Sequence, residues 1–490
     1  MGQLIPAIVG LIATPAIIRG LGAERFGLLA LAWLMIGYFS LFDLGLGRAV
    51  TKLVAERSVR GDTQELRIVV WTAFSLLLLL GLVAAVLPIA AVPWLVTHGM
   101  KASAAFRSEA ETSIYLLLLS MPAVLLMNGF RGVLEAYQRF ALANAVRVPF
   151  GIATFVVPLA MLPFTNTLPA VIAGLVATRY VATVAYAVMC MSVLGEAAAP
   201  AKPERRMVAE LLSFGAWITV SNIVGPLMVT FDRFVIGAVI SVAMVAFYAT
   251  PFQAVMQFLL LPSALATVLF PIFARAANTP PERIRLVYAS SVQFLYLALY
   301  PCALVVVVYA PQILTLWLGP QFGELSATPM RWLMLGAIMN GVAQVPFAFI
   351  QGIGRSAFTA KLHLTELPVY LCLLFFLAAR NGINGVAFAW FMRAAVDTSI
   401  LSWFALRSLG SASRTEMVRA IGVPLFALLP LIALIGVRGR AAQAISVTLA
   451  VAIFFFAIWS VVLRTESPTH LVEVREVIRQ RLTRRRDVDS

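Results

Sequence analysis

Two arginines lie deep inside long apolar stretches, where a charged side chain is costly. Arg179 lies in the stretch 170–194 and Arg393 in the stretch 386–406. An arginine at the centre of a membrane span costs about 2.5–3.5 kcal/mol, so such a residue is a functional candidate. Because the planar guanidinium donates paired hydrogen bonds to phosphate groups, these two residues predict an anion-binding site inside the apolar part of the chain.

The sequence leaves other roles open for these residues and for two further arginines. Asp397 follows Arg393 by four positions, so the two side chains could neutralise each other on one helical face. Either buried arginine could also extend its head towards the membrane surface. Arg48 and Arg147 lie at the ends of apolar stretches. There they either receive an anionic headgroup or set the topology of the chain.

Four charged side chains are candidates for ion coupling or gating. Asp43 and Asp397 lie within apolar stretches, where a carboxyl group can exchange protons or balance a nearby arginine. Asp232 and Arg233 are adjacent at the end of the stretch 212–231. We expect this second pair to form a structural link or a gate at the rim that faces away from the cytoplasm.

Pairs of amide side chains recur at helical spacing in two other stretches. Gln253 and Gln257 are four positions apart, as are Asn340 and Gln344. On one face of a helix, such amides either hydrogen-bond the hydroxyl groups of a sugar in a cavity or join neighbouring helices.

The elements that position these side chains are apolar helices. Of the 490 residues, 61% are hydrophobic and 12% charged, and the mean hydropathy is +0.93, whereas soluble domains carry about 25% charged residues. A membrane-spanning helix needs roughly 20 apolar residues. Fourteen apolar segments follow from the sequence: 5–18, 26–49, 68–96, 112–130, 148–164, 170–194, 212–231, 243–269, 288–310, 332–350, 367–379, 386–406, 421–437 and 442–463.

The spacing of arginines indicates that the chain contains an internal repeat of two similar halves. Arg19 and Arg233 are 214 positions apart, as are Arg179 and Arg393, and a further arginine pair in matching loops is 216 apart. The sequence therefore predicts an all-α polytopic membrane protein with about fourteen transmembrane helices. Two six-helix bundles, related by a pseudo-two-fold axis along the membrane normal, surround a central cavity, and two further helices follow.

The predicted organisation has five parts. They are an N-terminal bundle (1–194), a cytoplasmic linker (195–211), a C-terminal bundle (212–406), two additional transmembrane helices (407–463) and a basic cytoplasmic tail (464–490). Most lysines and arginines fall in alternate loops, which places both termini in the cytoplasm. The net charge of +15 thus reflects topology rather than a nucleic-acid partner. The tail is either a surface helix on anionic lipid or a solvated segment.

No signature of an enzyme or a metal site is present in the sequence. It lacks a GxxxxGK[ST] phosphate loop and an HExxH motif, and its three histidines, His98, His363 and His470, are widely separated. The three cysteines lie in apolar stretches and are typical of packing residues. We therefore predict a protein with neither catalytic activity nor a bound cofactor or metal.

Several segments resemble one family of membrane proteins. The opening segments 19–27 (RGLGAERFG) and 38–49 (YFSLFDLGLGRA) look like the start of bacterial polysaccharide (O-antigen type) flippases of the multidrug/oligosaccharidyl-lipid/polysaccharide exporter superfamily. The segment 231–237 (FDRFVIG) with Phe247 and Tyr248, the segments 269–271 (LFP) and 316–319 (LWLG), and the loop 351–355 (QGIGR) with Lys361 are also similar to that family.

The resemblance implies a V-shaped pair of bundles in the bacterial inner membrane. It implies movement of an undecaprenyl-pyrophosphate-linked oligosaccharide from the cytoplasmic to the periplasmic leaflet, by antiport driven by a proton or sodium gradient. Membrane lipids, a polysaccharide polymerase and a chain-length regulator are the partners it suggests. Two other branches of the superfamily remain open as alternatives: a peptidoglycan lipid-precursor flippase and a cation-coupled multidrug exporter.

Overall fold

The computed structural model describes residues 4–39, 43–213, 228–410 and 423–436, together with residues 445, 447–449, 451–452 and 454–455. Within these residues every regular element is helical and no strand is present, as the sequence predicts. Short helical turns join the longer helices, which we number α1–α14.

The first half of the chain contains eight numbered helices. They are α1 (Leu4–Leu21), α2 (Ala23–Phe39), α3 (Leu46–Arg60), α4 (Thr63–Val86), α5 (Arg107–Leu119), α6 (Met121–Ala136), α7 (Phe140–Met161) and α8 (Leu168–Leu194). Helix α6 contacts α3, α4 and α8, while α1 packs on α7.

The second half packs around one central helix. Its helices are α9 (Val242–Met256), α10 (Leu260–Ala274), α11 (Pro281–Leu318), α12 (Ala327–Gly352) and α13 (Ser356–Ser408), followed by α14 (Val423–Gly436). Helix α12 is contacted by α9, α10, α11, α13 and α14. It is buried along most of its length because neighbours surround it.

Eight helical stretches within the described residues are long and apolar enough to cross a membrane. One of them is α13, in which Gly382 (φ 58°, ψ −144°) leaves the helical conformation and divides the helix into two arms, 356–381 and 383–408. The predicted eleventh segment, 367–379, is therefore extended at its N-terminal side. The predicted segments 212–231 and 442–463 fall largely outside the described residues, as does all of the tail 464–490.

The structure corrects the predicted second span, 26–49. Helix α2 ends at Phe39, and a new helix, α3, begins at Leu46. Between them, Leu44 and Gly45 have positive φ angles of 51° and 73°, which a continuous α-helix does not permit. Hydropathy alone did not separate the two helices because both contribute apolar residues to the same run.

The structure supports the internal repeat and refines its register. The Thr183 hydroxyl donates to the carbonyls of Arg179 and Ala123, and Thr398 donates to those of Ala394 and Met339 in the second half. These equivalent contacts are 215 or 216 positions apart, rather than 214. The helix ends fit the same register, because Gly195 and Gly410, each with positive φ, follow the ends of α8 and α13.

The two ends of the molecule have different polar contacts. We call the end with Arg57, Arg67 and Arg131 the basic end and the end with Lys101 and Gly237 the opposite end. At the basic end, the Arg57 guanidinium lies 3.6 Å from Glu65 and 3.3 Å from Glu210, which ties the linker to the first half. Arg67 donates to two linker carbonyls.

Candidate anion cavity and buried polar cluster

A cavity of about 360 Å³ opens within the first half. Helices α1, α2, α6, α7 and α8 supply its walls. Its lining is Pro6, Ile36, Val124, Met127, Asn128, Arg131, Arg147, Phe150, Gly151, Arg179 and Tyr186. The volume lies within the range of about 300–1,000 Å³ that small-molecule sites occupy.

Arg179 is held at the inner wall of this cavity. Its side chain is 4% exposed, and its Nη1 donates to the Ser120 hydroxyl at 3.3 Å. The guanidinium carbon lies 5.9 Å from the centre of the Phe150 ring. Ser120 stands between α5 and α6 and itself donates to the Leu117 carbonyl at 2.7 Å. These contacts orient the guanidinium without neutralising its charge.

Two more arginines share the cavity with Arg179. Arg147 is exposed on α7. Arg131, near the end of α6, lies 3.3 Å from Glu135 and is 43% exposed. Arg147 is among the site residues predicted from the sequence. Arg131 is not, because it lies in one of the basic loops that indicate topology. The helical spacing of Asn128 and Arg131, three positions apart on α6, could have pointed to both as wall residues.

Asp43 is linked to the cavity wall rather than exposed in it. Its carboxylate accepts from the Gly45 amide at 2.8 Å and from Asn128 Nδ2 at 3.4 Å. It therefore fixes the turn between α2 and α3 and positions Asn128. The predicted roles of Asp43 in ion coupling and in balancing an arginine remain predictions.

The lining suits a phosphorylated headgroup. Three guanidiniums and one amide project among apolar side chains, and no aspartate or glutamate is part of the lining of this cavity in the described structure. Guanidinium groups bind phosphate oxygens in paired geometry, and low polarity around them strengthens the attraction.

Arg393 lies in a different environment from Arg179. It is 8% exposed, is absent from the cavity lining, and packs with its guanidinium carbon 5.8 Å from the ring centres of both Tyr370 and Trp390. Its Nε and Nη2 make no hydrogen bond. Arg179 and Arg393 therefore do not line the same cavity in this structure, and the predicted role of Arg393 in anion binding remains a prediction.

The refined repeat register explains this difference. The counterpart of Arg179 in the hydrogen-bonding pattern is Ala394, because Thr183 and Thr398 bond back to these two residues. Arg393 precedes that position by one residue, which turns its side chain by about 100° around the helix.

Asp232 and Arg233 have separate partners. Asp232 is 0% exposed and accepts from the Tyr248 hydroxyl and from the Arg233 amide. The Arg233 guanidinium instead stacks 4.2 Å from the centre of the Phe252 ring. The Asp232 carboxylate is near enough to Arg233 and Arg393 to interact with both charges. The role of Asp232 and Arg233 as a structural link or gate remains a prediction.

His363, Glu366 and Asp397 form an unexpected cluster on the two arms of α13. Their ligand atoms all lie within 4.8 Å of one another, with His363 Nε2 3.5 Å from Asp397 Oδ1. Asp397 therefore pairs with His363; the described ion pairs do not include the anticipated contact with Arg393. The three histidines are far apart in sequence, and the carboxylates that complete this group come together with His363 only in the folded chain.

The other predicted residues lie away from the cavity lining. Arg48 is exposed on α3, and Gln253 is exposed on α9. The Gln257 side chain donates to the Gln253 carbonyl on the same helical turn. Asn340 and Gln344 are half-buried on α12. Their predicted contacts with sugar remain predictions.

Backbone contacts join the two halves at the opposite end. Two π-turns, Leu95–Gly99 and Ile236–Ile240, each lead into an extended residue. The Lys101 amide donates to the Gly237 carbonyl at 2.9 Å, and the Val242 amide donates to the Lys101 carbonyl at 3.3 Å. Gly27 on α2 approaches the Val242 carbonyl so closely that a Cβ would overlap it.

At the basic end, one polar contact outside the predicted spans shows how linker charges are held. Arg206 donates to Glu65, and this hydrogen bond raises the pKa of Arg206. The network fixes the linker on α4, at the same end of the molecule as Arg131 in the cavity lining.

Two solved structures share this architecture. An inward-facing multidrug resistance transporter of the MATE family aligns with a TM-score of 0.69, at 15% identity over 84% of this chain and 97% of that chain. The lipid II flippase MurJ, in an inward closed conformation, also aligns at 0.69, with 13% identity over 94% of this chain and 99% of that chain. The chain therefore shares the fold of these two membrane proteins, which is built from two helical bundles.

The sequence also matches the model of a protein family. The model of the polysaccharide biosynthesis protein family matches residues 1–277, more than half of the chain, and the chain belongs to that family. A Shigella flexneri protein whose assigned role is O-antigen transport is 29% identical over 409 residues, which is 83% of this chain and 96% of the relative.

Proposed function

We propose that this chain is a flippase for surface polysaccharide export. It moves an undecaprenyl-pyrophosphate-linked oligosaccharide from the cytoplasmic to the periplasmic leaflet of the bacterial inner membrane by alternating access. It works as a transporter rather than an enzyme, with both termini in the cytoplasm. A proton or sodium gradient drives it, and a polysaccharide polymerase and a chain-length regulator act beside it.

The observation that carries this proposal is the cavity with Arg131, Arg147 and Arg179. A pyrophosphate and a glycan cannot cross roughly 30 Å of hydrocarbon unassisted, because desolvation of the charged and polar groups is costly. The three guanidiniums replace part of the lost hydration of the phosphates, and the lipid tail stays in the bilayer. A multidrug exporter for organic cations would need acidic groups in the same place.

Substitution of Arg179 tests this function. We expect Arg179→Gln to weaken headgroup binding by roughly tenfold to a hundredfold, since a hydrogen bond to a charged group contributes about 1.5–3 kcal/mol. Arg179→Lys retains the charge but not the paired geometry, so we expect intermediate export. Surface polysaccharide and lipid-linked oligosaccharide in the inner leaflet are measured in cells that lack the native gene.

Arg380→Gln is the matched control, because Arg380 is an exposed arginine whose guanidinium lies 5.0 Å from the Phe376 ring, away from the cavity lining. We expect normal export from it at equal membrane abundance. Full export by Arg179→Gln would contradict the proposal. Loss of peptidoglycan precursor transport instead of polysaccharide export would favour the precursor-flippase alternative.

A further inference from the structure

We propose that His363, Glu366 and Asp397 bind a divalent transition-metal cation of the Zn²⁺ type that fastens the two arms of α13 to each other. His363 and Glu366 are three positions apart on the first arm, and Asp397 is on the second arm, beyond the turn at Gly382. The chain thus folds back on itself to bring an imidazole and two carboxylates together.

The spacing of the three groups fits a shared ion. The 3.5 Å between His363 Nε2 and Asp397 Oδ1 is close to the edge of a tetrahedron with bonds of about 2.1 Å, the usual zinc bond length to nitrogen or oxygen. The third ligand atom, a carboxylate oxygen of Glu366, is within 4.8 Å of the other two, so the three groups are near enough to one another to share one ion. Three protein ligands leave a fourth position for water.

The carboxylates are buried and incompletely satisfied without a cation. Asp397 is 5% exposed, and its Oδ1 has no hydrogen-bond partner. Both carboxylate oxygens of Glu366 are also buried without a hydrogen bond. Buried charge of this kind is normally paired or coordinated to a metal, and the His363 contact reaches Asp397 alone among the described ion pairs.

Ligand chemistry selects the class of ion. Sodium and calcium prefer sets made wholly of oxygen, and calcium takes six to eight of them, whereas imidazole favours zinc and its neighbours in the transition series. The His363 ring is oriented for binding, because it stacks on Phe347 at 6.1 Å with an interplanar angle of 9°. Arg393 is within electrostatic range of Glu366, so we expect weaker binding than at a structural zinc site.

Metal titration of the purified full-length chain tests the site. The protein carries an affinity tag without histidine, is stripped with a chelator, and is titrated with Zn²⁺, Mn²⁺ or Na⁺ by calorimetry and by thermal unfolding. We expect one Zn²⁺ per chain and a higher Tm. His363→Gln should weaken binding by roughly tenfold or more, since loss even of a residue that only supports a metal ligand costs about 10–100-fold, and Asp397→Asn should do the same.

His98→Gln is the matched control, because His98 lies in the π-turn Leu95–Gly99 at the opposite end of the molecule. It should keep full Zn²⁺ binding. Absence of Zn²⁺ binding by the native chain, unchanged binding by His363→Gln, or stabilisation by Na⁺ with none by Zn²⁺ would each overturn the proposal. Because no transport is measured, these outcomes are independent of the flippase test at Arg179.

Discussion

Asp232 shows how one residue can organise the interior of the second half. Its carboxylate is wholly enclosed and is satisfied by the Tyr248 hydroxyl and the Arg233 amide. A buried charge that loses a partner pays the desolvation cost without compensation. The Tyr248 hydroxyl therefore stabilises the fold mainly through its hydrogen bond to Asp232.

Tyr248→Phe should lower the stability of the protein measurably. Removing the hydroxyl leaves one carboxylate oxygen of Asp232 without a donor, which costs about 1–3 kcal/mol for a buried group. Thermal unfolding in detergent measures the change. Tyr309→Phe is the control, because that tyrosine is 53% exposed. Equal Tm values for the two variants would show that the Asp232 contact contributes little.

Some residues of the cavity and of the buried cluster are predictable from the sequence and others are not, for physical reasons. Arg179 was recognisable because an arginine among apolar neighbours is costly wherever the helix lies. Arg131 was not, because a charge near a helix end serves topology equally well. His363 joins Asp397 only through the fold-back at Gly382, and sequence spacing does not reveal contacts between separate helical arms.

At the scale of elements, the contact between α2 and α9 depends on one small residue. Gly27 allows the two helices to approach until its backbone meets the Val242 carbonyl. Beside it, Lys101 pairs through its backbone with the segment around Gly237. These contacts close the opposite end of the molecule in this conformation.

Gly27→Ala should loosen this closure, because the added Cβ overlaps the Val242 carbonyl. We expect faster labelling of a Val242→Cys reporter by a membrane-impermeant maleimide, in a chain whose three native cysteines are alanine. Val242 is 1% exposed in this structure, so slow labelling is the baseline. Gly37→Ala on the same helix is the control, since its Cβ would meet nothing within 4 Å. Equal labelling rates would contradict this account.

The helices themselves were largely predictable, and their interruptions were not. Long apolar runs locate α7, α8 and α12 because a membrane-spanning helix must be predominantly apolar. The break between α2 and α3 is a matter of local backbone conformation at Leu44 and Gly45, which leaves no mark on hydropathy. The extension of the first arm of α13 includes polar residues such as Lys361, so an apolar threshold ends the segment too early.

At the scale of the whole molecule, cavity and closure lie at different ends. Arg131 and Arg147 stand where the cavity meets the basic end, while Lys101 and Gly237 join the halves at the other. The distribution of lysine and arginine predicts that the basic end faces the cytoplasm. A substrate from the cytoplasmic leaflet would then meet the cavity first.

Single cysteines test that orientation. We expect a membrane-impermeant thiol reagent added to spheroplasts to label Asn166→Cys and to spare Val59→Cys until the membrane is permeabilised. Both positions are exposed, so burial does not account for a difference. Val59 is in the last turn of α3 and Asn166 is in the loop before α8, at opposite ends of the molecule. The reverse pattern would invert the proposed direction of transport.

The one-residue shift between Arg179 and Arg393 has an evolutionary consequence. A duplicated gene begins with two equal copies, and selection can then assign them separate tasks only if their side chains come to face different surroundings. Displacement by a single codon achieves this on a helix, since it redirects a guanidinium from an open chamber towards Tyr370 and Trp390. The two halves thus hold their buried arginines in different surroundings, Arg179 at a cavity and Arg393 beside aromatic rings.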